Sequence, residues 1–204
     1  MNWLAHLCLV PTPPLRRLGN LAGDFVRGTS LATLHPELQR GIAQHRAVDG
    51  FVDAHPVVVA ARRRLAPPFR RFAGVLLDVY FDHFLARDFP ALCGGDLGAF
   101  LDGVQHDLRE HHAWLPPSLQ RVAPQFARDG WLAGYATVEG MAQVLGLMGR
   151  RLRRENPLAS GAELLRADYA AFAADFAALW PELVSFVARA DAAPNALPTA
   201  ARPD

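Results

Sequence analysis

Val75-Leu76-Leu77-Asp78-Val79-Tyr80-Phe81-Asp82-His83-Phe84-Leu85-Ala86 is the stretch on which the fold turns. Read as a helix it is apolar on every side, so it must be buried almost all round. Yet it carries Asp78 and Asp82 one turn apart, in a stripe with Val75, Leu85 and Phe89, and His83 adjoins them. Two carboxylates stacked in a core repel each other unless a cation sits between them. A divalent metal is the simplest cation that does this.

Working outward, apolar residues recur at three- and four-residue spacing and no segment sustains strand-like alternation, so the chain reads as an all-α, single-domain helical bundle. Prolines punctuate it at Pro11, Pro13, Pro14, Pro36, Pro56, Pro67, Pro68, Pro116, Pro117 and Pro157. Between them the pattern predicts helices at about 2–10, 17–28, 36–53, 56–65, 68–90, 96–113, 117–128, 137–154 and 160–190. The domain is expected over residues 1–191, with a frayed tail over 192–204.

In the predicted helix at 36–53, Leu38, Ile42, His45, Asp49 and Val52 fall on one stripe, which sets two ionisable groups on the core face. His45 and Asp49 could satisfy each other as an i, i+4 pair, or they could need an ion. Asn2 and His6 form another i, i+4 pair in an otherwise apolar first helix. The segment Gly19-Asn20-Leu21-Ala22-Gly23-Asp24-Phe25-Val26-Arg27-Gly28 places Asp24 one turn before Arg27, among glycines that permit close backbone approach. An Asp with an Arg beside it can serve a metal and a phosphate oxygen respectively. Asp and His without Cys suit Mn, Mg, Fe or Zn in a hydrolytic role.

Other polar residues are assigned plainer parts. His35 and His55 each precede a proline and read as turn residues, with Asp53 and His55 near enough to Asp49 to support it. His106, His111 and His112, with Asp102, Asp107, Arg109 and Glu110, read as a solvated face. Cys8 and Cys93 are far apart with no metal spacing, so they are expected to be free thiols of a reducing compartment.

The chain has 204 residues, and its 21 basic groups, all arginine, stand against 20 acids for a net charge of +1. That balance, with 51% hydrophobic residues, excludes a disordered chain and a uniformly basic nucleic-acid binder. No run approaches the roughly 18 uninterrupted apolar residues of a spanning helix, and the N-terminus lacks the pattern of a secretory signal. A cytoplasmic location follows by default. The arginines do cluster: Arg62, Arg63, Arg64, Arg70 and Arg71 form one group, and Arg150, Arg151, Arg153 and Arg154 another. Such runs are solvated faces or docking surfaces for an acidic partner.

Five features together resemble the acyl carrier protein phosphodiesterase family: Met1 to Leu7, residues 19–28, His45-Arg46-Ala47-Val48-Asp49 with Asp53, residues 77–85, and the later Trp131-Leu132 with Tyr135 and Met148 to Arg151. The resemblance runs in order over about residues 1–155. It implies a metal-dependent enzyme related to the HD-type phosphohydrolases, so an HD-domain-like bundle. The implied reaction is cleavage of the phosphodiester joining 4′-phosphopantetheine to a serine of holo-acyl carrier protein. Manganese is the first expectation for the metal, with magnesium or iron as alternatives.

Carried onto this chain, the resemblance suggests His6, Asp24, Asp78, Asp82 and His83 as metal ligands. His45, oriented by Asp49, would place the water or protonate the leaving oxygen, and Arg27 would neutralise the phosphoryl group. Asn2 and Asp53 would support the ligands, and Arg62, Arg63, Arg64, Arg70, Arg71, Arg150 and Arg151 would dock the acidic carrier protein, with no nucleic acid or membrane involved. The rival readings are an HD-type nucleotide or cyclic-nucleotide phosphohydrolase and a non-catalytic helical module that grips an acidic carrier.

Overall fold

The computed structural model describes residues 1–10, 12–128 and 131–192, and helices are the only regular elements among them. The chain opens with α1 (Trp3–Cys8) and α2 (Pro14–Ala22), followed by a 3-10 turn at Gly23–Phe25. Then come α3 (Pro36–Ala54), α4 (Pro56–Arg64), α5 (Ala73–Arg87), α6 (Phe89–Cys93) and α7 (Leu97–Glu110). The remainder is α8 (Pro117–Arg128), α9 (Trp131–Gly134), α10 (Val138–Arg151), α11 (Gly161–Ala167) and α12 (Tyr169–Ala192). Several starts follow from sequence chemistry. Proline occupies the first turn of α2, α3, α4 and α6, where its missing N–H would have had no partner anyway. Asp96 and Thr137 cap α7 and α10 by accepting from Ala99 N at 2.9 Å and Gly140 N at 3.1 Å.

Three expected helices are corrected. The one at 17–28 begins three residues earlier and tightens into the 3-10 turn after Ala22. The one at 68–90 begins only at Ala73, because a 3-10 turn occupies 70–72, and it stops at Arg87. Pro90 has no N–H to offer the Ala86 carbonyl, so the chain restarts as α6. The helix at 160–190 divides at Asp168, which leaves the helical region at φ −128° and whose carbonyl accepts from Phe172 N at 3.1 Å to begin α12. The expected tail lies outside the described residues beyond Ala192, which itself ends α12.

The core is centred on α5, which packs against α1, α4, α10 and α12, and buried side chains from α1 to α12 form one cluster. The expectation that α5 is buried all round holds for Leu76, Leu77, Val79 to Ala86, but Val75 is 42% exposed and Asp78 is half-buried. The first turn of this helix therefore reaches the surface. Among the described helices, α12 alone is long and apolar enough to cross a membrane by length and composition. In this fold it lays Phe172, Phe176, Leu179, Trp180, Leu183 and Val187 into the core.

The contact that builds the site is α2 against α3. A Cβ on Gly41 would lie 2.1 Å from the Arg16 carbonyl oxygen, and one on Gly19 would lie 2.4 Å from that of Leu38. Only glycine lets the two backbones touch here. The cysteines correct another expectation: Cys8 and Cys93 form a disulfide, with Cα atoms 6.4 Å apart, that ties α1 to α6. Eighty-five residues of separation hid a pairing that only the tertiary fold creates. The cysteines thus lend no support to a reducing compartment.

Candidate metal centre

Three helical segments converge on one cluster. α1 supplies His6, the 3-10 turn after α2 supplies Asp24, and α3 supplies His45 and Asp49 one turn apart. The imidazoles of His6 and His45 are buried and stacked, with centroids 4.0 Å apart and planes inclined by 25°. The ring of His45 fits because residue 23 is glycine; a Cβ there would sit 2.2 Å from its Cγ.

Asn20, fully buried on α2, orients both rings. Its side-chain oxygen lies 2.9 Å from His6 Nδ1, and its backbone carbonyl accepts from His45 Nδ1 at 2.8 Å. A carbonyl can only accept, so the proton sits on Nδ1 and each Nε2 faces the carboxylates. His45 Nε2 is 3.1 Å from Asp49 Oδ2 and 3.5 Å from Asp24 Oδ1, and His6 Nε2 is 3.2 Å from Asp49 Oδ1. Asp24 is fixed from behind by the Trp3 indole N–H at 2.8 Å.

Burial opposes charge throughout this cluster, and the carboxylates overcome it only at His45. Burial would lower His45, but hydrogen bonds to Asp24 and Asp49 raise its pKa to about 9. His6, more deeply buried, is lowered by desolvation in spite of Asp49. Burial would raise Asp24 and Asp49, but their histidine partners hold both below the usual carboxylate range, Asp49 far below.

A metal fits this donor set. His6, His45 and Asp49 offer three ligand atoms within 4.8 Å of one another. His6 Nε2 is buried with no hydrogen-bond partner, so its contact with Asp49 is near in distance but wrongly aligned for a hydrogen bond. An orphaned imidazole nitrogen beside two carboxylates is the arrangement that a divalent ion completes.

The sequence grouped the ionisable residues differently, and the structure divides that grouping. Asp78 stands at the edge of the cluster, 3.0 Å from the amino group of Met1, which is itself 3.8 Å from Asp49 Oδ1. Burial would lower the pKa of that amine, but Asp78 and Asp49 raise it. Asp82 turns away from the cluster. Its carboxylate accepts Leu4 N at 2.8 Å and Ala5 N at 3.3 Å, and burial raises its pKa to about 7 despite those bonds. His83 likewise points elsewhere: Nδ1 donates to the Tyr135 carbonyl at 2.8 Å and Nε2 lies 2.9 Å from the Tyr169 hydroxyl. The repulsion expected between Asp78 and Asp82 is relieved by the ammonium of Met1 and by the N–H groups of α1.

Asn2 donates to the Tyr135 hydroxyl at 2.7 Å, while Asp53 is exposed and paired with Arg62. Arg27 is exposed beyond the 3-10 turn. His35 and His55 both hold N-cap positions, and His55 reaches Glu182 at 3.4 Å. On α7 His106 is exposed as expected, as is His112 in the 3-10 turn that follows, but Asp107 is buried and ion-paired with Arg17, because α7 packs on α2. Sequence reasoning missed Asn20, Trp3 and the amino group of Met1. Of these, Asn20 carried a signal, lying one turn before Asp24 in the glycine-bracketed segment.

Fold and cluster together define an all-helical protein with a His-His-Asp centre, both imidazoles buried, able to hold a divalent ion. More particularly, the chain belongs to the acyl carrier protein phosphodiesterase family, whose profile it matches over residues 1–183. It is 34% identical over 185 residues to an acyl carrier protein phosphodiesterase of Photorhabdus laumondii, an alignment covering 90% of this chain and 93% of the relative. The protein of that name from Yersinia enterocolitica is 34% identical over 186 residues, covering 91% and 96% respectively, and that from Escherichia coli O157:H7 is 31% identical over 190 residues, covering 93% and 98%. No solved structure matches the chain significantly.

Proposed function

We propose that the chain is a divalent-metal phosphodiesterase that hydrolyses holo-acyl carrier protein to the apo protein and 4′-phosphopantetheine. The observation that carries this reading is the convergence of two Nε2 atoms, from His6 and His45, on Asp49 in a member of this family. His6, His45 and Asp49 would hold the ion, manganese by preference, with Asp24 at its open side. Such an ion would supply charge neutralisation at the phosphoryl oxygens and acidify a water.

The chain's own residues then have separable tasks. Asn20 keeps both Nε2 atoms aimed at the centre, which is what an imidazole ligand requires of its neighbours. Asp24, ionised and held by Trp3, accepts the proton of the attacking water. Arg27 neutralises the phosphoryl oxygens. Water oxygen bonds to phosphorus as Asp24 takes its proton, the bond from phosphorus to the serine oxygen breaks, and the serine oxygen takes a proton from solvent as it leaves. In this assignment His45 is a ligand, not the acid of the reaction, and Asp82 and His83 are framework for α1 and for Tyr135.

The test is release of phosphopantetheine from holo-acyl carrier protein, followed by mass spectrometry of the carrier. Metal-loaded wild-type protein should convert it to the apo form, and Asp49→Ala should not. Turnover of a nucleotide panel with the carrier left intact would instead select the nucleotide phosphohydrolase reading.

A further inference from the structure

The first arginine group does not act as one patch. Arg64 is spent on Asp175 and on Asp168 at 3.5 Å, and Arg62 is held by Asp53. Arg63, Arg70 and Arg71 have no acidic partner among the described residues, and all three are exposed. Arg70 lines two adjoining grooves. One, about 610 Å³, lies between Pro67, Pro68, Arg70 and Arg71 on one side and Glu155 and Asn156 on the other. The second, about 450 Å³, runs between Arg62, Arg63 and Gly74. Sharing Arg70, they form one concave basic surface on which Glu155 is the one acid among the described lining residues.

This surface leads to the metal centre along two helices. On α5, Gly74 lies under the Arg62 guanidinium, whose Nη2 is 3.8 Å from where a Cβ would stand. Asp78 is four residues further on, about 6 Å along the axis. On α3, Asp53, the partner of Arg62, follows Asp49 by the same interval. Between Gly74 and Asp78 stands Val75, 42% exposed, and Leu152 ahead of Glu155 is 46% exposed. The surface is therefore basic with apolar points, and the Phe72 ring, the aromatic beside it, is covered by Arg71 at 5.0 Å. Bases of a single-stranded nucleic acid would find no open ring to stack on in these grooves.

We infer that this groove docks an acidic segment of the protein substrate and so delivers its phosphodiester to the centre beside Asp49. The inference rests on the reading of the substrate as a carrier protein. Arginine forks stay charged at any working pH and bind carboxylates in pairs, so an acidic segment with an occasional apolar side chain is the complementary surface. Charge on such a rim acts mainly on encounter rate and on salt dependence.

The test is the double reversal Arg70→Glu with Arg71→Glu, compared with wild type and with Arg121→Glu on α8 as a remote control. Binding of labelled holo-acyl carrier protein is followed by fluorescence anisotropy, and phosphopantetheine release by chromatography, at two salt concentrations. The double reversal should weaken Kd and raise KM by about tenfold or more and flatten the salt dependence. Its Mn²⁺ affinity and thermal midpoint should match wild type, as should those of the control. Arg70→Gln with Arg71→Gln should show the same trend at about threefold, so the result does not depend on how the reversed chain folds. If wild type binds and hydrolyses the carrier and the double reversal does so equally well, the groove is not the docking site. Equal competition by single-stranded RNA at this surface would also overturn the inference. Failure of wild type to release phosphopantetheine would instead strike the functional reading itself.

Discussion

Two clusters of histidine and aspartate lie in adjoining parts of this chain, and they spend their polar atoms in opposite ways. Around Asp82 and His83 each side-chain polar atom has a partner: both Asp82 oxygens accept N–H groups of α1, and both ring nitrogens of His83 have partners. Around His6 and His45 one nitrogen of each ring is fixed by Asn20, and the other is turned toward carboxylates that remain open to solvent. The first arrangement is a closed hydrogen-bond network; the second holds ligand atoms in reserve. Burial of ionisable groups is thus a poor guide to function, whereas the destination of each lone pair is a good one.

The comparison breaks most visibly in activity. His45→Ala should lower phosphodiesterase turnover by about a thousandfold or more and abolish metal binding, with little change in thermal midpoint. Asp82→Ala should do the reverse, destabilising the fold by roughly 2–4 kcal/mol in denaturant titration, since it strands two buried N–H groups. Retention of full stability by Asp82→Ala would deny that residue its framework role.

A smaller effect sharpens the comparison through Asn20. Asn20→Ala should weaken Mn²⁺ affinity about 10- to 100-fold, seen by calorimetry, and loosen the histidine tautomers in nitrogen NMR. The pH dependence has a defined sign. In the metal-free protein His45, raised to about 9, carries a proton at neutral pH, and an entering ion must displace it. Mn²⁺ affinity should therefore rise with pH, about tenfold per unit until pH nears 9, and a flat profile over that range would contradict the assignment of His45. Least of all, Tyr135→Phe loses the bond from Asn2 and should cost about 1 kcal/mol with turnover nearly intact.

Much of this was legible in the sequence because helical spacing is local. The stripe that pairs His45 with Asp49, the place of His6 on a short apolar helix, and the glycines around Asp24 can all be read from local spacing. What could not be read is what meets across helices. Asp78 and Asp82 looked like a pair needing one cation, and only the fold shows that Met1 and the N–H groups of α1 serve them separately. The Cys8 to Cys93 bridge and the retirement of Arg64 into ion pairs with α12 and its N-cap were hidden for the same reason. Local pattern places a residue on a face; it says nothing about which partner that face finds.

The most direct measurement is a Mn²⁺ titration of wild type, Asp49→Ala and His83→Gln, followed by electron paramagnetic resonance. The account predicts stoichiometric binding by wild type and by His83→Gln, and none by Asp49→Ala. Binding that survives in Asp49→Ala but disappears in His83→Gln would contradict it and return the metal to the α5 cluster.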